Sequence, residues 1–243
     1  MLFTLLTSAA LAAASPLAAR QWTGYPPIKS APGVILVANI TDLTKNIFGP
    51  PVNHWYLSTE RIGAGRNAAV LTPNITEATL LFVNGTAQDR SRTSTSIMAP
   101  PLDTNQGPIP MGLQFPRSRY GDVNVALPGV NFGLGDQGAK IGVRDPYARL
   151  APPQGPTNFG SFVVCNEESP VYGRPQYSVL WVEYQDYYTG EERPAPENCV
   201  RMELLAQCAE LPPLVGEKEL EIVNIGSLCY TDVNGIDWNA EYP

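Results

Sequence analysis

The stretch Cys199-Val200-Arg201-Met202-Glu203-Leu204-Leu205-Ala206-Gln207-Cys208 decides the fold. Its composition argues for a helix, since arginine, methionine, glutamate, leucine and alanine are all good helix formers. Its periodicity argues for a strand. Val200, Met202, Leu204, Ala206 and Cys208 are apolar at every second position, Arg201, Glu203 and Gln207 face the other way, and Leu205 alone breaks the pattern. Propensity is a weak prior, whereas the period fixes which residues can share a buried face. The segment is therefore expected to be a strand with Cys208 on the inward face and Cys199 on the outward one, so these two cysteines should not pair with each other.

The rest of the chain agrees. Proline (24) and glycine (21) are frequent enough among 243 residues to forbid long helices, and they are spread too evenly to mark a disordered tract. Pro-Pro pairs begin at Pro26, Pro50, Pro100, Pro152 and Pro212, leaving strand-sized segments between them. Strands are expected at 34–40, 67–71, 79–83, 122–127, 161–165 and 177–184, from β-branched runs and alternation bounded by turn residues. The expected fold is all-β, a β-sandwich of short antiparallel strands with Pro/Gly-rich loops. A β-trefoil is the alternative, on three loosely similar strand, loop, strand units: 70–71 to 82–83, 141–143 to 162–163, and 179–180 to 204–205.

Residues 1–19 read as a secretory signal peptide: an apolar leader, Leu2-Phe3-Thr4-Leu5-Leu6, runs into the small residues Ala12-Ala13-Ala14-Ser15. Its n-region carries no basic residue, a departure from the usual pattern. Residues 20–243 are then expected to form a single secreted all-β domain with no membrane span. The four cysteines, Cys165, Cys199, Cys208 and Cys229, fit two disulfides in such a chain. Cys165–Cys199 with Cys208–Cys229 is the favoured pairing, and the crossed alternative stays open.

The net charge of −7 argues against nucleic acid and anionic membranes as partners, because the basic clusters are no longer than Arg90-Ser91-Arg92 and Arg117-Ser118-Arg119. His54 is the only histidine, which excludes multi-histidine zinc or copper sites. It is expected to pack beside Trp55 at the start of a strand. No C-x-x-C pair occurs, and no metal or other cofactor is expected. Asp232-Val233-Asn234-Gly235-Ile236-Asp237 departs from the EF-hand spacing. Gly133-Leu134-Gly135-Asp136-Gln137-Gly138 matches G-x-G-x-x-G and Gly63-Ala64-Gly65-Arg66-Asn67-Ala68 its alanine variant, but strand-like residues follow both where a dinucleotide site needs a helix. Both are read as turns whose glycines supply positive φ.

Three sequons, at Asn39, Asn74 and Asn84, are acceptors for N-glycans on a eukaryotic secretory route. Asn84-Gly85 also carries a type I′ turn signal, so glycans at Asn74 and Asn84 are expected at the two ends of one hairpin. The candidate binding surface is the polar-aromatic run holding Trp181, Glu183, Tyr184, Asp186, Tyr187 and Tyr188. Its tyrosines could stack on sugar faces or anchor a protein partner. Its carboxylates, with Glu191, could hydrolyse glycosides if held about 5 to 9 Å apart. A solvated hairpin with tyrosines laid on a sheet edge is the structural alternative.

The chain resembles an uncharacterised family of small secreted fungal (ascomycete) proteins, a domain of unknown function. The resemblance is carried by Trp55-Tyr56-Leu57, Gly63-Ala64-Gly65, Ala69-Val70-Leu71-Thr72-Pro73-Asn74, Phe82-Val83-Asn84-Gly85-Thr86, Asp145-Pro146-Tyr147, Phe162-Val163-Val164-Cys165, Gln207-Cys208 and Cys229-Tyr230. It implies fungal origin and a single domain, and it assigns no catalytic residue. The expected function is that of a secreted, non-catalytic glycoprotein binding cell-wall carbohydrate or an extracellular protein. A carboxylate-dependent glycoside hydrolase is the alternative.

Overall fold

Cys199–Ala209 forms a single strand of eleven residues, and the other strands are organised around it. The computed structural model describes residues 28–41, 48, 51–92, 94–116, 125–144, 147–153, 160–169, 171–183 and 195–236. The leader and residues 184–194 lie outside the described residues. The strands are β1 (Ile28–Ala31), β2 (Gly33–Ile40), β3 (Tyr56–Gly63), β4 (Arg66–Thr72), β5 (Phe82–Asn84), β6 (Ser96–Leu102), β7 (Ile109–Gln114), β8 (Val125–Ala126), β9 (Gly129–Phe132), β10 (Lys140–Arg144), β11 (Tyr147–Ala151), β12 (Gly160–Glu168), β13 (Pro175–Glu183), β14 (Cys199–Ala209) and β15 (Ser227–Tyr230). One short helix, α1 (Ala87–Arg92), and a 3-10 turn at Ile75–Glu77 complete the regular structure described.

The all-β expectation holds, and its pair of sheets takes the form of a closed barrel beside a four-stranded sheet. On one edge β14 pairs antiparallel with β12 over Cys199–Met202; on the other it pairs antiparallel with β2 over Met202–Ala209. These two pairings join β2, β3, β4, β13, β12 and β14 into a ring. Closure removes the open edges of those strands, which are otherwise templates for association. The second sheet runs β5-β6-β7-β9. The three units considered for a trefoil do not organise the fold, because Val70-Leu71 lies in the barrel while Phe82-Val83 lies in the other sheet.

The alternation in β14 becomes the barrel lining. Val200, Met202, Leu204 and Ala206 are buried, in register with Val164 and Phe162 of β12 and with Ile40, Ala38 and Leu36 of β2. Leu57, Leu71 and Val179 continue the same face on β3, β4 and β13. In so small a barrel the inward side chains fill the interior, so the lining is a packed core. Tyr177 and Trp181 bracket Val179 on the inward face of β13 and belong to two aromatic clusters. Tyr177 meets Trp55 edge-on at 5.2 Å and Phe48 at 5.4 Å; Trp181 meets Phe162 at 4.9 Å.

The outward face is not uniformly solvated. Val163, Cys165, Leu180, Val182 and Cys199 form a second apolar cluster, with Val125 and Leu127 packed against it from β8 and its flank. Cys199 therefore faces outward and is still buried, whereas inward Cys208 is half-buried. Leu205, the exception to the alternation, is fully buried where β11 joins β14 through the Arg149–Leu205 pair.

Both disulfides follow from the pairing. Cys165 and Cys199 are direct cross-strand partners and are bonded. Cys208 and Cys229 each lie one residue from the parallel Gln207–Tyr230 pair and are bonded. The glycine turns also stand: Gly65, Gly133, Gly135 and Gly138 all have positive φ, and β4 and β10 follow them as strands.

Three expectations are corrected. Residues 67–71 and 79–83 do not form a hairpin; β4 pairs with β3 and β13, while β5 leads into the other sheet. Asn84-Gly85 is consequently no type I′ turn: α1 follows it, and the Asn84 Oδ1 accepts the Val223 N–H at 2.9 Å. Pro100-Pro101 does not separate elements but lies inside β6, where the register shifts between Ala99 and Leu102. Proline has no N–H for the ladder, so it is confined to such irregularities.

Candidate functional site

Of the six residues expected to form a binding surface, Trp181 and Glu183 are described. Tyr184, Asp186, Tyr187 and Tyr188 lie outside the described residues, as does Glu191. Trp181 does not present a free ring: one side packs on Phe162, and Gly160 leaves the space that the indole fills. Glu183 is half-buried at the end of β13, opposite Gly160.

His54 is half-buried beside Trp55 at the entry to β3, in the left-handed region with φ of 67°. Its N–H donates to the Ala38 carbonyl at 2.8 Å. Its Nε2 is buried and has no hydrogen-bond partner among the described residues. Burial holds the imidazole below its ordinary pKa, and the negative charge of Asp232 opposes that shift. The sequence offers no carboxylate beside His54; the fold brings Asp232 from near the opposite end of the chain. The same segment donates from Asn234 Nδ2 to the Tyr56 hydroxyl at 3.2 Å.

The sequon asparagines differ in setting. Asn74 is exposed and caps the 3-10 turn, its Oδ1 accepting from the Thr76 N–H at 3.1 Å and the Thr76 hydroxyl at 2.9 Å. Asn39 and Asn84 are half-buried on β2 and β5.

A pocket of about 120 Å³ opens between the four-stranded sheet, α1 and the strands β10 and β15. Its lining is Val83, Arg90, Thr95, Ile141, Gly142 and Leu228, with Lys140 at the start of β10. Sequence explains how Arg90 comes to be held there. Thr86-Ala87-Gln88-Asp89 is a capping box: the Asp89 carboxylate accepts the Thr86 N–H at 2.8 Å, and the Thr86 hydroxyl accepts the Asp89 N–H at 3.1 Å. The hydrogen bonds that the carboxylate accepts, led by one from the Thr86 hydroxyl, hold the Asp89 carboxyl below its ordinary range. A helix of six residues is marginal alone, and the box supplies its start. Arg90 on that helix donates through Nη2 to the carbonyls of Ile225 and Gly226, in the turn ahead of β15.

The sequence points to Arg90 only within the short basic cluster Arg90-Ser91-Arg92. Thr95 and Lys140 carry no local signal at all. What unites them is the approach of β5, α1, β10 and β15, which no single segment encodes.

A family model described as a domain of unknown function (DUF7907) matches residues 31–208, which include five barrel strands whole and all but the last residue of β14. No curated protein and no solved structure matches the chain.

Proposed function

The chain belongs to the DUF7907 family of unknown function, and from that footing we propose that it is a secreted, non-catalytic fungal glycoprotein that binds cell-wall carbohydrate or an extracellular protein. The observation that carries this reading is the pair of cystines on β14. Cys199 ties one end of the strand to β12 and Cys208 ties the other to β15. Cross-strand cystines of this kind persist in an oxidising environment, and they support an extracellular address. The exposed sequon at Asn74 fits a glycosylated exterior. A barrel stapled in this way is a rigid scaffold, which suits recognition by surface loops.

The test is retention of the secreted protein on chitin, β-glucan and mannan, with release of reducing ends assayed in the same tubes. Retention without release supports carbohydrate binding. Release would overturn the non-catalytic reading in favour of a glycoside hydrolase, and substitution of Glu183, Asp186 and Glu191 together should then abolish it. Absence of both directs the search to an extracellular protein partner.

A further inference from the structure

We infer that the pocket between α1, β10 and β15 is a binding site for a small carboxylate carrying a short apolar body. This inference does not rest on the wall-binding proposal. The charge pattern is its first support. The protein is acidic, at −7, yet among the described residues the pocket is lined by Arg90 and Lys140 and by no carboxylate. Asp89, the carboxylate next to Arg90 in sequence, is occupied by Thr86 and by the Ser94 hydroxyl.

The donors are also available. A guanidinium has five N–H groups, and the carbonyls of Ile225 and Gly226 engage Nη2 alone, leaving Nε and Nη1 while fixing the plane of the fork. The Lys140 ammonium has no ion-pair or hydrogen-bond partner among the described residues. Thr95 is only 3% exposed and lines the pocket, and its hydroxyl likewise has no partner among the described residues. That hydroxyl is not one of the fully enclosed unpartnered atoms, so it is open to bond a ligand in the pocket that Thr95 lines.

Size and wall chemistry complete the description. A cavity of roughly 150 Å³ holds a benzene ring, so about 120 Å³ admits an acid of a few carbon atoms. Val83, Ile141 and Leu228 supply apolar walls for its chain. A lining of two cations and three aliphatic side chains matches a carboxylate with a short hydrocarbon tail, the usual mix of a few polar groups and apolar walls in a small-ligand site. A short-chain acid presents its carboxylate on a hydrocarbon body, whereas an acidic sugar presents it on a hydroxylated ring that these apolar walls do not match.

Butyrate, galacturonate and the neutral butyramide are titrated separately into the isotopically labelled protein, following the amides of Ile141, Gly142 and Leu228. Saturable shifts with butyrate, and not with butyramide, are expected, and galacturonate should bind more weakly than butyrate. Lys140→Gln, which leaves the Arg90 contacts in place, should weaken binding about tenfold, the loss expected for one charge-assisted hydrogen bond. Thr95→Val should weaken it less. Failure of butyrate to saturate, tighter binding of galacturonate, equal binding of butyramide, or an unchanged affinity in Lys140→Gln in a protein with the wild-type spectrum would each overturn the assignment.

Discussion

The indole of Trp181 fills the space that a side chain at Gly160 would need: a Cβ placed on Gly160 would overlap Cζ2 and Cε2 of the ring. The two residues lie on adjacent paired strands, and Phe162 also packs against the ring, at 4.9 Å. Gly160→Ala should therefore force the indole off its position against Phe162, at a cost of about 1 to 3 kcal/mol, the range for overpacking a filled site. The measurement is the urea midpoint at unchanged m. A midpoint equal to that of the wild type would show that Trp181 can move freely and would restore it as a surface platform.

The Tyr230 hydroxyl accepts the Ala148 N–H at 3.2 Å, and Tyr230 is 1% exposed. Tyr230→Phe keeps the ring and strands a buried backbone donor on β11. The expected loss is about 1 to 3 kcal/mol. Amide exchange at Ala148 should quicken more than at its neighbours in β11, which a general loosening of the barrel would not produce.

The cystines close loops of 34 and 21 residues. In the chain-entropy picture, replacing either pair by serine costs about 3 to 4 kcal/mol, and loop length separates the two by only a few tenths. Cys199 lies in a buried apolar cluster whereas Cys208 is half-buried. Both cysteines of the first pair are buried, against Cys229 alone in the second, so the Cys165–Cys199 replacement buries two hydroxyls to the other's one and should be the more damaging. Thermal denaturation of the two double-serine variants decides the order, and non-reducing peptide mapping should recover the two linked fragments.

The pH dependence follows from His54. Its pKa in the folded protein lies below the ordinary 6.5 because burial disfavours the cation. Between the two values the unfolded chain binds more protons, so stability rises with pH there. The His54 contribution is thus fully present above pH 6.5 and is lost as pH falls through the folded value. The difference in melting temperature between wild type and His54→Asn should be flat above pH 6.5 and shift against the wild type below it. Asparagine suits the control because it tolerates the left-handed backbone that His54 adopts. A difference that is constant across the range would show that the imidazole is free to reach solvent.

The strand at 199–209 was legible because alternation is a local property, and the alternation survived a composition that favours helix. The glycine turns were legible for a similar reason, since a strand following a glycine-rich segment rules out the helix that phosphate binding requires. The disulfide pairing was only half legible. Parity separated Cys199 from Cys208, but the partners are set by the register of β14 on β12 and β15. The hairpin expected across 67–83 does not form because adjacency in sequence is not adjacency in space, and β4 pairs instead with β3 and β13.

For the candidate site the division is sharper. Trp181 was singled out because aromatic and acidic residues cluster in that run, yet sequence cannot say which side of an aromatic ring is covered. Arg90, Thr95 and Lys140 are 50 positions apart at their extremes and become neighbours only through the strands that carry them.

The sequence by itself determined the all-β class, the strand at β14, the parity that keeps Cys199 from Cys208 and the turns at its glycines, because each is written in the spacing of neighbouring residues. The tertiary structure alone decided that β14 meets β2 to close the barrel. It also decided that the outward face around Cys165 and Cys199 is covered, and that two cations and a hydroxyl share one pocket. Those outcomes depend on which distant strand supplies the second layer of contacts, a choice made by packing over the whole chain.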